Sequence, residues 1–404
     1  MPAEILPTIV AIDLGAESCR VSLLEWEGRK PRIELMHRFG NAPVEVDGAL
    51  RWNLDLICEG LEQGLHRCAS KAQTKIASVG VDGWAVDYVR LKEDGLPVAA
   101  PYCYRDTRTG AAEAEVRKRI SFAELFALSG VQPLRINTLF QLVADQMAGA
   151  PAESQWINLP EYILMRLGGS RIAEYSNATH SGMMSAGKKC WNPEIFTRCG
   201  LDASAAPPIA SSGSWVGEAK SAAFKGTKLI APCCHDTAAA IAGISLHGDD
   251  WAYISSGTWS LVGMLLDHTV TSSEAFAGGF TNLGAAGGQI CFHKNVNGMW
   301  LLKQCMAQLC PLADMWPMPE LVAAAERQPQ PANVLDVDDP DLLLFGHMAS
   351  RINAQFKRRG FEPIEEDTSA MPQYASLIFY SLAARYAEVL QNAAELSGKK
   401  LKRL

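Results

Sequence analysis

The 404-residue sequence has no apolar run approaching the roughly 18 residues that a membrane-spanning helix requires. Its first residues lack a basic cluster, and Asp13 interrupts the only apolar run there, so no signal peptide is expected. Excess positive charge is missing too. The 37 Lys and Arg stand against 44 Asp and Glu, a formal net charge of −7, which argues against nucleic acid or an anionic membrane as the main partner. No Cys-x-x-Cys pair occurs among the eleven cysteines, and neither Cys233-Cys234 nor Cys305 with Cys310 makes a zinc pattern. An odd number of scattered thiols reads as reduced, in a cytoplasmic protein. What remains is ordinary for a globular chain: 48% hydrophobic, 20% charged, and long enough for two or three domains. Small-molecule chemistry fits that balance.

The stretch Ala231–Gly243, APCCHDTAAAIAG, is the most informative. Lys228–Ala231 reads as a strand that Pro232 stops, and Thr237–Ile241 opens a helix. Asp236 therefore falls at or beside the helix N-cap, where a carboxylate accepts backbone N–H groups. The lip between strand and helix is also where α/β proteins place ligands. Cap and general base are both open readings of Asp236, with His235 and Thr237 as hydrogen-bonding neighbours.

Two glycine turns flank this stretch. Thr8–Ile12, Cys19–Trp26 and Arg32–Phe39 read as an antiparallel meander, with Asp13–Ser18 as its first turn. Gly15 permits close backbone approach, and successive N–H groups of such a turn face an anion. The design recurs at Trp251–Ser255, Ser256-Gly257-Thr258 and Trp259–Leu266. Superposing Gly15 on Gly257 also matches Ile12 with Ile254, Ser18 with Ser260 and Leu23 with Leu265. Two such turns suit a polyphosphate. Between them, Asp82–Asp87 joins the strand Lys75–Val81 to Tyr88–Leu91. Its carboxylates and Trp84 suit a sugar, or else form a hairpin with a half-buried indole.

Elsewhere, Leu54–His66 and Trp191–Cys199 have helical spacing and Phe122–Leu167 is mainly helical. Glu174–Ala178 reads as a short strand and Ala203–Gly217 as a loop. Tyr104–Arg108 reads as a helix cap with solvated arginines, and Asp336–Asp341 as a solvated loop. The final helix carries Ala375, Ile378, Phe379, Leu382, Tyr386, Val389, Leu390 and Ala393 at i, i+3, i+4, i+7 spacing and ends at Gly398.

Taken together, AIDLGAESCR (Ala11–Arg20), VGVDGWAVDYV (Val79–Val89), YRDTRT (Tyr104–Thr109), NLPEYILMRL (Asn158–Leu167), YSNAT (Tyr175–Thr179), HDT (His235–Thr237), SSGTWSL (Ser255–Leu261) and KNVNGMWLL (Lys294–Leu302) resemble the FGGY carbohydrate kinases, most closely their rhamnulokinase branch. The resemblance implies an α/β, actin-like (ribonuclease H-like) fold of two domains, divided here as 1–246 and 247–404, with ATP and sugar in the cleft. It implies ATP-dependent phosphorylation of a ketose, rhamnulose first, with fuculose or xylulose as alternatives. The position of Asp236 is the family's catalytic base. His235, Thr237 and Ala85 fall at sugar contacts, with Trp84 as an apolar wall. Gly15, Ala16, Glu17, Ser18, Cys19 and Arg20 align with the first phosphate turn, and Gly257, Thr258 and Asn295 with nucleotide contacts. Asp13 is the candidate for Mg²⁺, held through water.

Some positions depart from the family pattern. Cys19 and Ala85 stand where glycine is frequent, and Lys303 stands where a polar amide meets the nucleotide. Lys399–Leu404 lies where relatives begin the strand leading to an adenine-holding Gly-Gly-Gly loop, so an incomplete second domain is expected. A truncated or degenerate sugar-binding relative is then the rival reading, and an actin- or chaperone-like ATPase that binds protein is a third. The missing loop predicts a chain that binds a ketose but separates ATP from other nucleoside triphosphates poorly. Calorimetry showing at least about tenfold preference for ATP over GTP, about 1.4 kcal/mol, would contradict it.

Overall fold

The structure, a computed structural model, describes residues 6–151, 153–246, 248–310 and 316–404. Alternation in Thr8–Leu14 sets the frame: Val10, Ile12 and Leu14 are buried on one face, while Ala11 and Asp13 face the other way. This strand lies inside a six-stranded sheet with the order Ser214–Glu218, Lys228–Ala231, Ile76–Gly83, Thr8–Leu14, Ser18–Glu27, Lys30–Gly40. Lys228–Ala231, Ile76–Gly83 and Thr8–Leu14 run parallel; Ser214–Glu218, Ser18–Glu27 and Lys30–Gly40 pair antiparallel at the two sides.

The helix Leu54–Lys71 covers the buried face. Asn53 caps it by accepting the Leu56 N–H at 3.0 Å, and Ile57, Leu61, Leu65 and Cys68 point inward. Its glycines let it lie close to the sheet. A Cβ on Gly60 would come within 2.6 Å of the Phe39 ring, and one on Gly64 within 2.5 Å of Val21 Cγ2.

By packing, Met1–Leu246 with Leu266–Cys291 forms one compact unit and His247–Leu265 with Phe292–Leu404 another. In the second unit, Ala252–Ser256 pairs antiparallel with Trp259–Leu266, whose other neighbour is Ile290–Asn297. The helices Trp300–Leu309, Met318–Glu326, Met348–Arg358 and Met371–Ser397 belong to this unit. The long last helix buries Tyr374, Ile378, Leu382 and Val389, and Gly398 ends it at φ 70°. Among the described residues no helix is long and apolar enough to cross a membrane. All eleven cysteines are free thiols, and only Cys190 is exposed.

Several elements differ from their expected form. Glu174–Ala178 is not a strand: Ala173–Glu174 is a two-residue strand and Tyr175–Thr179 is a helical turn, because the Glu174 side chain caps the N–H groups of Ser176 and Asn177. Within the expected loop Ala203–Gly217, Ser214–Glu218 forms a sheet edge beside Lys228–Ala231. Tyr88–Arg90 pairs with Trp156–Asn158, so Asp82–Asp87 is not a hairpin turn. Arg108 is not solvated; it stacks 3.7 Å over the Tyr102 ring and bonds Asp145 at 2.6 Å. The acidic stretch is a staple: Asp338 meets Lys294 and Arg385, and Asp339 meets Arg358.

The glycine contacts generate a stability prediction. Alanine normally stabilises a helix over glycine by about 1 kcal/mol, but Gly64→Ala drives a methyl into buried, β-branched Val21 and is expected to destabilise by about 1–3 kcal/mol. Gly110→Ala, whose added methyl meets nothing within 4 Å, should be neutral or stabilising. Urea denaturation of both variants checks the contrast.

Candidate active site

The three central strands are parallel, so their C-terminal ends lie along one edge of the sheet, the place where α/β sheets bind ligands. Backbone bonds sew these ends together. Trp84 N–H donates to the Leu14 carbonyl at 3.1 Å, and Gly83 N–H to the Cys234 carbonyl at 3.0 Å. A Cβ on Gly83 would sit 2.6 Å from Leu14 Cβ and 2.9 Å from its oxygen. The Asp13 turn, the Asp82 loop and the Asp236 loop are therefore neighbours.

In the first turn, Leu14 pairs with Cys19 and leaves Gly15, Ala16, Glu17 and Ser18 between them. A Cβ on Gly15 would meet the Ser18 carbonyl oxygen at 2.4 Å, so the turn itself requires glycine. Asn41 latches it: its backbone N–H donates to the Glu17 carbonyl and its Nδ2 to the Gly15 carbonyl, each at 3.0 Å. The Cys19 side chain is buried in the core, where burial pushes the thiol up to about 12, so only its backbone can meet a ligand. Arg20 pairs with Asp13 at 2.6 Å, and Arg38 Nε donates to Ser18 Oγ at 3.3 Å. Asn41 and Arg38 carry no signal of their own in the sequence; hairpin register brings them to the turn.

Asp236 is the first residue of the short helix Asp236–Ala242. Its Oδ1 accepts the Thr237 N–H at 2.5 Å and the Thr237 hydroxyl at 3.1 Å, yet the side chain remains 43% exposed. The N-cap position is His235, without a side-chain cap bond, so Asp236 is not the cap; its carboxylate bonds its neighbour Thr237 and stays accessible. His235 is buried, with its ring 3.9 Å from His180 and its Nε2 3.4 Å from Asp236 Oδ1. Burial lowers its pKa and favours the neutral imidazole. Asp82 lies opposite Asp13 on the neighbouring strand. Burial, then the charges of Asp13 and Asp236, push its carboxyl up to about 8.

The Asp82–Asp87 loop uses its second carboxylate internally. Asp87 is fully buried; Oδ2 accepts the Trp52 indole N–H at 2.6 Å, the Trp84 indole N–H at 3.0 Å and the Tyr104 N–H at 3.2 Å, while Oδ1 accepts Gln141 Nε2 at 3.0 Å. Burial pushes it up to about 6 against those bonds. Asp87 is closed off from solvent and holds the indoles. Trp84 packs on Trp52 at 4.5 Å between ring centroids and is 7% exposed, as is Ala85. Val86 completes the bend with φ 73°, a strained value for a β-branched residue.

In the second unit, Ser256 pairs with Ser260, leaving Gly257, Thr258 and Trp259 as an exposed three-residue turn. The first turn holds four, so the matches of Ser18 with Ser260 and Leu23 with Leu265 fail by one residue. That slip reverses the strand's faces: Ser260 points inward, its hydroxyl 2.6 Å from that of Tyr386. Met299 and Trp300, at the start of a helix, donate to the carbonyls of Gly257 (2.9 Å) and Thr258 (3.2 Å). Gly298 makes this approach possible. Asn295 is exposed on Ile290–Asn297.

Asp13 and Asp82 offer the hard oxygen ligands that Mg²⁺ prefers. Among the described residues no group of three or more His, Cys, Asp or Glu is disposed to hold a metal. The set fits an ion that keeps waters and takes one or two carboxylates plus phosphate, as Mg²⁺ does.

Residues 8–243 match the N-terminal domain model of the FGGY family of carbohydrate kinases, and residues 252–404 match the C-terminal domain model. A rhamnulokinase of Enterococcus faecalis is 34% identical over 97% of this chain and 79% of its own length. A rhamnulokinase of Pectobacterium carotovorum is 32% identical over 98% and 79%. Among solved structures, a gluconate kinase from Lactobacillus acidophilus superposes with a TM-score of 0.75 at 16% identity, covering 98% of this chain and 80% of that one.

A third raised carboxyl lies beneath the Asp236 loop and sets a pH prediction. Glu161 is buried beside Glu174; burial, then the Glu174 charge, push it up to about 8. The folded chain thus holds a proton at Glu161 that the unfolded chain releases near pH 4.5, so this group's stabilisation is full at low pH and falls as pH rises toward 8. Glu161→Gln should gain on the parent by up to about 1.4 kcal/mol per pH unit between pH 5.5 and 7.5. Denaturation of both proteins at the two pH values is the check; a constant difference contradicts the assignment.

Proposed function

The chain belongs to the FGGY family of carbohydrate kinases, and on that premise we propose that it transfers the γ-phosphoryl group of ATP to a ketose hydroxyl, L-rhamnulose to L-rhamnulose 1-phosphate first among them. The observation that carries the reading is an accessible carboxylate, Asp236, at the ends of three parallel strands beside the glycine turn and the Asp82 loop. The two relatives named rhamnulokinase support the choice of sugar.

Phosphoryl transfer needs positioning and charge neutralisation more than covalent help. Asp236 accepts the proton of the attacking hydroxyl as the O–P bond forms. Neutral His235 and Thr237 contact the sugar hydroxyls, Ala85 borders the sugar with its methyl, and what Trp84 leaves exposed is an apolar surface for the deoxy sugar's methyl group. Gly15–Arg20 present backbone N–H groups and the Arg20 guanidinium to phosphate oxygens. Gly257, Thr258 and Asn295 are assigned to the nucleotide. Asp13, with Asp82 beside it, would hold Mg²⁺ through water, and the ion when bound neutralises phosphate charge.

A coupled assay with rhamnulose, fuculose and xylulose tests the reading. A higher kcat/KM for another ketose moves the substrate, and no transfer to any sugar removes the proposal. Asp236→Asn keeps the shape and loses the proton acceptor, so kcat should fall by about 10²–10⁴ with little change in sugar affinity. Retention of more than about half the rate would falsify the base.

Gly257 is the cleaner glycine to probe. Its added Cβ would lie 3.4 Å from the Trp259 oxygen, an ordinary contact, whereas any side chain at Gly15 breaks its own turn. Gly257→Val should weaken ATP binding more than sugar binding. Equal loss of both ligands in a folded variant would refute a nucleotide role.

A further inference from the structure

The Asp236 loop is held from below by side chains to which the proposed reaction gives no part. It runs from the end of Lys228–Ala231 to a seven-residue helix in which only Ala238 and Ile241 are buried, so helix packing alone anchors it weakly. The N–H groups of Cys234 and His235 are bonded by side chains: Cys234 N–H donates to Glu174 Oε2 at 2.8 Å, and His235 N–H to Ser176 Oγ at 3.2 Å. Ser176 in turn donates its hydroxyl proton to Glu174 Oε2 at 2.5 Å. The same oxygen caps the N–H groups of Ser176 (3.0 Å) and Asn177 (3.4 Å), and Oε1 accepts the Ser212 hydroxyl at 2.5 Å.

Glu174 is fully buried, and among the described residues it pairs with no Lys or Arg. Its charge is met only by donors, five in all. Such a group is poor value as a source of stability. As an acceptor fixed by several bonds at once, it is well suited to hold two backbone amides at set positions. Misplacing a reacting group by about 1 Å costs about 10²-fold in rate, and Asp236 follows these two amides directly in the chain.

We propose that Glu174, acting with Ser176, is a positioning residue for phosphoryl transfer: through the backbone of Cys234 and His235 it fixes the aim of the Asp236 carboxylate. The proposal rests on the reading of Asp236 as the base. It touches neither sugar nor phosphate, so its signature is a loss confined to kcat.

The test uses the full chain with Ser176→Ala, Ser176→Thr, Glu174→Gln and Asp236→Asn, and Ser176→Ala combined with Asp236→Asn. Ser176→Ala should lower kcat by about tenfold while the dissociation constants of ketose and ATP move by less than about threefold. Ser176→Thr, which keeps the hydroxyl, should restore most of the rate. On the Asp236→Asn background, Ser176→Ala should cost less than about twofold, because a residue acting through Asp236 has nothing left to aim. Hydrogen exchange at the His235 amide should quicken in Ser176→Ala while the global melt stays in place.

A full additional loss on the Asp236→Asn background overturns the positioning role and leaves the base intact. An Asp236→Asn protein that keeps its rate, or a parent with no sugar phosphorylation, removes the base and this role together. A Ser176→Ala protein with unchanged kcat also overturns it. If Glu174→Gln fails to fold, the two Ser176 variants decide the matter alone.

Discussion

The candidate site depends on a backbone approach that tolerates no side chain. At Gly83 the chain passes within van der Waals reach of Leu14, and a methyl there would collide with both the Cβ and the carbonyl of that residue. Because the approach is allowed, Gly83 and Trp84 can donate to the Cys234 and Leu14 carbonyls. Three loops from distant parts of the chain thereby share one edge of the sheet. Strand pairing already sets Asp13 beside Asp82, and these two bonds tie the first turn and the Asp236 loop to the same loop between them.

Around that edge the first unit collects carboxyl groups under conditions that disfavour their charge. Asp82, Asp87 and Glu161 are all raised, in each case chiefly by burial. Their surroundings nonetheless differ in kind. Asp87 is wrapped in indole and amide donors and serves structure. Asp82 is raised in addition by the charges of two other acids, Asp13 and Asp236. Burying so many acids lowers stability at neutral pH, a cost typical of functional sites rather than of cores.

Much of this was legible in the sequence where local rules act alone. The strand Lys228–Ala231, the helix beginning at Leu54 and the cap at Gly398 follow from periodicity, Pro232 and glycine. Reading failed where a distant side chain decides the local form. Tyr175–Thr179 mixes the strand formers Tyr and Thr with Ser, Asn and Ala, and the Glu174 carboxylate, by accepting the amides that follow, turns the chain. Ser214–Glu218 sets Trp215 and Val216 among Ser, Gly and Glu, too short a signal to stand out from the Ser-, Ala- and Pro-rich stretch before it, and pairing with Lys228–Ala231 makes it a strand. The superposition of the two glycine turns went wrong by one residue because turn length is invisible in a match anchored on glycine alone. Trp84 and the carboxylates of its loop were visible, but not that Trp52 would join Trp84 on Asp87 from the far side of a helix and a strand.

That tryptophan pair has an optical consequence. Two indoles 4.5 Å apart, both bonded to one buried carboxylate and both shielded from water, form a single coupled chromophore with a fixed geometry. Trp84 adjoins Gly83 and Ala85, so a change in the loop reaches the ring through its own backbone. The chain therefore carries an internal spectroscopic gauge at the very edge where its strands end. In near-ultraviolet circular dichroism this pair is one contribution among those of ten tryptophans, and the one that responds to that edge.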